Sequence, residues 1–89
     1  MTDRYMVVLE DAGRNISAYI PDLPGCVSTG GTIEETVTRI REAMAMHLAA
    51  MRRDGENVPR PSHHLGDRLE FADSAIGVVE LSGAPAVAA

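Results

Sequence analysis

The sequence has no tryptophan and no lysine, a single cysteine, one phenylalanine and two tyrosines. With so few aromatic rings the core falls to Val, Ile, Leu, Met and Ala. In a domain of 89 residues such a core is small, and burial through self-association would add to it. The lone Cys26 excludes an internal disulfide or a multi-cysteine zinc framework, and a cytoplasmic setting is the default for such a chain. All eight basic residues are arginine, set against 13 acids for a formal net charge of −5. Phosphate binding runs on clustered Lys and Arg, so this balance argues against nucleic acid as the main partner and suits a basic one. Long apolar runs are also missing. The longest early one, YMVVL, is far too short for a signal peptide or a membrane helix. Neither a Walker-type phosphate loop nor a dinucleotide fingerprint is present, and Gly30-Gly31 before Thr32 reads only as a strand-to-helix turn. These absences point to a soluble cytoplasmic domain with no cofactor and no membrane contact.

What is there reads as β-β-β-α-β. Residues 4–10, RYMVVLE, are rich in strand formers, DAGRN supplies turn geometry, and ISAYI at 16–20 returns as a second strand. CVST at 26–29 is a third short strand. Thr32 then stands three residues before Glu35, a capping box, with Glu34 and Glu35 placed against the positive end of the helix dipole. Ile33, Val37, Ile40, Met44, Leu48 and Met51 repeat at helical spacing, and Gly55 is positioned for a left-handed C-cap after Arg52 and Arg53. The spacing predicts one helix over about 33–54. ENVPRPS is a connector, because Pro59 and Pro61 cannot continue a helix. Residues 62–75 are ambiguous, with a short helical turn expected around GDRLEFAD. AIGVVELS at 75–82 reads as the last strand. The expected organisation is therefore one α+β domain over 1–82 and a flexible tail over 83–89.

The stretch YIPDLPGC poses catalysis against geometry. Pro21 lacks an N–H and stops the ladder of the second strand. Pro24-Gly25 fits the centre of a type II turn, where Pro presets φ and Gly supplies φ > 0. Pro21, Asp22, Leu23, Pro24, Gly25 and Cys26 thus form a structural corner. A nucleophilic Cys26 would need a base within reach, yet none of His47, His63 and His64 lies in a catalytic motif, so Cys26 reads as a small buried residue. His63-His64 lacks zinc-type spacing. Glu10, Asp11, Asp22 and Glu42 have no acid in the middle of the first strand to gather around, which disfavours two-metal nuclease chemistry.

Two faces raise the question of a partner. In the first strand Tyr5, Val7 and Leu9 alternate with Met6 and Val8, so both sides are apolar, whereas one helix covers only one side. A second copy or a partner is the simplest cover for the other side, and a homodimer or higher oligomer is expected. On the helix, the side away from the stripe turns from Glu34, Glu35, Thr38 and Glu42 to Ala45, Met46, Ala49 and Ala50. That patch reads either as a contact site, together with Asp22 in the corner, or as a solvated face of strong helix formers.

The run ISAYIPDLPGCVSTGGTIEETVTRIREAMAMHL resembles the HicB-like antitoxin family. The resemblance lies in a strand, a P-D-L-P-G-C corner, a short strand with S-T-G, and a T-x-x-E helix start. YMVVLE and DGENVPRPS extend it over about residues 4–82. It implies a truncated RNase H-like fold without nuclease activity, and binding to HicA, a small basic mRNA-cleaving toxin, which the antitoxin masks. Many members also carry a C-terminal DNA-binding module, for which GAPAVAA has no room, so DNA binding of that kind is not expected. The short form is shared with solitary HicB-like proteins that have no known toxin. An orphan regulator or scaffold, and a relic RNase H-like nuclease, are the alternative readings.

Overall fold

The computed structural model describes residues 4–63 and 75–83. Its elements are β1 (Arg4–Asp11), β2 (Ile16–Tyr19), β3 (Val27–Gly30), α1 (Ile33–Arg53) and β4 (Ala75–Ser82). The helical turn expected around GDRLEFAD and residues 84–89 of the expected tail lie outside the described residues.

The β1–β2 connection is short because Gly13 takes φ 95° at its tip while its N–H bonds the Asp11 carboxylate at 2.9 Å. This is the local chemistry that a tight hairpin requires. The four strands form one antiparallel sheet in the order β3-β2-β1-β4. α1 carries the chain from one edge strand, β3, towards the other, β4, and packs on a single face. The architecture is the two-layer α+β arrangement expected from the β-β-β-α-β order.

On the helix-facing side Tyr5, Val7, Leu9, Ala18 and Leu81 meet Ile40, Met44 and Leu48 of α1. Each fully buried Leu or Ile of this kind contributes about 1.5–3 kcal/mol relative to exposure. The helix stripe departs from its expected membership at the first turn. Ile33 is 48% exposed, and Thr36 is fully buried instead. Val37 and Met51 are half-buried. The cause is the close crossing of α1 over Gly30, where a Cβ would fall 2.6 Å from Thr36 Oγ1 and 2.8 Å from its backbone nitrogen. The turn before Thr36 therefore overhangs the sheet edge. Thr36 satisfies its buried hydroxyl by donating to the Thr32 carbonyl at 2.7 Å.

The other sheet face is not left bare at its centre. Met6 and Val8 are fully buried within the single chain. A second copy is not needed to cover them. Exposure is confined to the margins, at Val27 on β3 and Ile76 on β4.

Candidate functional site

The corner folds as two successive β-turns. Leu23 N–H donates to the Ile20 carbonyl at 3.0 Å, and Cys26 N–H donates to the Leu23 carbonyl at 3.0 Å. Pro21 and Pro24 occupy the second position of each turn. Gly25 takes φ 87°, as the type II geometry demands. Ile20 N–H then reaches the Cys26 carbonyl at 3.3 Å and closes the loop back onto the β2–β3 ladder. Leu23 and Cys26 point inward and join the core. Burial pushes the Cys26 thiol above its ordinary pKa, opposite to what a nucleophilic thiolate needs.

Asp22 points elsewhere. Its side chain is only 6% exposed and lies against the connector that follows α1. One oxygen accepts from Ser62 N–H at 2.8 Å and His63 N–H at 3.1 Å. The other accepts from the Ser62 hydroxyl and faces His63 Nδ1 at 2.9 Å. Burial alone would raise the carboxyl pKa. The hydrogen bonds from Ser62 and His63 outweigh it and hold the group at about 2. Ser, His and Asp thus meet, but not as a catalytic relay. Ser62 Oγ lies 3.3 Å from Nδ1, the same ring nitrogen that faces Asp22, whereas a relay needs Ser and Asp on opposite nitrogens. The cluster is a latch between the corner and the connector.

A second tie runs nearby. Tyr5 donates its hydroxyl to the Pro59 carbonyl at 2.6 Å, and Val58 packs against the core. The segment that Pro59 and Pro61 keep out of helix is thereby fixed at both ends. Neither tie has a signal in local spacing, because 54 residues separate Tyr5 from Pro59 and 40 separate Asp22 from Ser62.

Thr32 and Glu35 act as caps. Thr32 Oγ1 accepts from Glu35 N–H at 3.0 Å. The returning arm goes to Gly31 N–H at 3.5 Å instead of to Thr32, because the Glu35 carboxylate also pairs with Arg39 at 2.9 Å. Gly55 takes φ 72°, its N–H bonds the Arg52 carbonyl at 3.2 Å, and Glu56 N–H bonds the Met51 carbonyl at 2.9 Å. This is a Schellman cap.

Ala45, Met46 and Ala49 lie exposed on the solvent side of α1, and Ala50 is half-buried. The hydrogen bonds of Asp22 go to Ser62 and His63, not to this patch. Beside it a groove of about 630 Å³ has Met44, Leu48 and Leu81 at its floor, with Arg41, Arg52 and Glu80 at its rim. Among the described residues no three His, Cys, Asp or Glu side chains gather as a metal-binding group, and no helix is long and apolar enough to cross a membrane.

Comparison with solved proteins finds the same architecture. The N-terminal domain of the Burkholderia pseudomallei antitoxin HicB aligns with a TM-score of 0.74 and 24% identity, over 89% of this chain and 95% of that domain. A chain of a HicA3–HicB3 toxin-antitoxin complex aligns with a TM-score of 0.65 and 25% identity, over 85% of this chain and 94% of that one. A 14.9 kDa protein of Haemophilus phage HP1 is 29% identical over 79 residues, and the chain spans 59% of its length. Residues 5–87 match the family described as the HicB-like antitoxin of bacterial toxin-antitoxin systems. The chain belongs to the HicB-like antitoxin family.

Proposed function

We propose that this chain is an antitoxin that binds a small basic, mRNA-cleaving toxin of the HicA type and occludes it by protein–protein contact, without catalysis of its own. The observation that carries the reading is the family match over nearly the whole chain, joined to the likeness to a chain in a HicA3–HicB3 complex. Physical chemistry is consistent with it. A net charge of −5 draws a basic partner and speeds its encounter. The one cysteine is buried with a raised pKa, and the Ser-His-Asp cluster has the wrong geometry for proton relay. The chain acts in the cytoplasm, where mRNA is found, and works as a homodimer or higher oligomer, for which the exposed Val27, Met46 and Ile76 provide apolar contact area. Asp22, satisfied within its own chain, contributes to toxin binding by holding the corner in shape.

The test is co-expression with a small basic toxin of the HicA type. The reading expects an equimolar complex that survives purification and relief of the growth arrest the basic protein causes. Failure to co-purify, with growth arrest undiminished, would overturn it.

A further inference from the structure

The solvent side of α1 carries an exposed apolar patch bounded by charge. Met46 is 73% exposed, the most exposed large apolar side chain among the described residues. Ala45 and Ala49 flank it, and Glu42 and Arg53 stand one turn beyond at either end, all exposed. Residues 42, 46, 49 and 53 recur at spacings of four, three and four, the repeat by which one helix lays a straight seam along another. Small residues in the middle of such a seam let two helices approach closely.

Charge decides what lies on it. Glu34, Glu35 and Glu42 occupy the N-terminal half of α1, and Arg52 and Arg53 its last turn. Around the apolar residues the charges balance, Glu42 and Asp54 against Arg52 and Arg53, so the patch has no net acidity with which to draw a basic partner. A parallel copy would set Arg53 against Arg53. An antiparallel copy, related by a two-fold axis between His47 and Leu48, brings opposite charges together. Glu42 then faces the second copy's Arg53, and Met46 faces its Ala49. Within one chain these groups have little to lose. Among the described residues Arg53 pairs only with its exposed neighbour Asp54, at 3.6 Å, and Glu42 has no ion-pair partner.

We infer that two copies of this chain associate through an antiparallel α1–α1 contact centred on Met46 and closed at each end by a Glu42–Arg53 pair. The inference rests on the homodimer reading above and names its surface; it leaves the toxin a different surface.

Sedimentation of the full chain at micromolar concentration tests it. The wild type is expected to be a dimer that weakens as salt rises. Met46→Glu, and separately Glu42→Arg or Arg53→Glu, should give folded monomers with an unchanged circular dichroism spectrum. The double change Glu42→Arg with Arg53→Glu should restore the dimer, because the reversed charges face each other again across the two-fold axis. A wild-type monomer would overturn both the contact and the homodimer reading. A dimer that survives Met46→Glu, or one the double change does not restore, would overturn this contact alone, and toxin binding by the monomeric variants stays measurable either way.

Discussion

Asp22 and His63 stand 41 residues apart in sequence and 2.9 Å apart in space, joined between the Asp22 carboxylate and His63 Nδ1. This contact, with those from Ser62, fixes the chain after α1 against the corner between β2 and β3. The most recognisable stretch of the sequence, PDLPGC, therefore does two jobs. Its prolines and glycine reverse the chain, and its acid receives a segment from the far end of the helix.

Replacing Asp22 with Asn should destabilise the fold by about 2 kcal/mol, because the nearly buried carboxylate that gathers Ser62 and His63 becomes an uncharged, weaker acceptor. The pH dependence gives the sign. The folded carboxyl sits at about 2 against an ordinary value of 3.8, so its stabilisation is complete above the unfolded value and is lost as pH falls through the folded one. Thermal melts of wild type and Asp22→Asn should differ most near neutral pH and converge as pH approaches about 2.

Gly30 and Gly31 are neighbours with opposite tolerances. A Cβ on Gly30 would strike the backbone of Thr36, whereas one on Gly31 meets nothing within 4 Å. Gly30→Ala should cost about 1–3 kcal/mol by forcing α1 away from β3. Gly31→Ala should leave the denaturation midpoint within a few tenths of a kcal/mol of the wild type, on the scale of ordinary surface changes. Equal effects from the two would contradict the close helix crossing.

Gly25→Val should also destabilise, by about 1–3 kcal/mol, although open space surrounds the site. The cost there lies in the backbone, since a β-branched residue resists φ 87°. Urea titration reads it directly, and an unchanged midpoint would contradict the type II turn.

Cys26 should react slowly with a thiol-specific reagent in the native protein and at the ordinary rate in denaturant. Burial both hides the sulfur and raises its pKa. Rapid native labelling would mean that the corner opens.

The elements were legible because their signals are local. Thr32, the three-and-four spacing of Val37, Ile40, Met44 and Leu48, and Gly55 define α1 within a window of a few turns, and the β1 alternation needs even fewer residues. What sequence could not supply depends on how elements cross. Nothing local distinguishes Ile33, exposed, from Thr36, buried, until the helix is laid over Gly30. The Asp22 latch is of the same kind. His63-His64 lacks zinc-type spacing, and only the return of the connector to the corner gives His63 a role. On the face away from α1, alternation showed that Met6 and Val8 need cover but not that a single chain already buries them.

Toxin occlusion is read at its source by inhibition of RNA cleavage. Purified chain is titrated into a cleavage reaction containing a small basic toxin of the HicA type and a defined mRNA. Cleavage should fall in proportion to added chain and stop near equimolar amounts, with the chain alone cutting nothing. Cleavage that continues unchanged under a large excess of the chain would contradict the account.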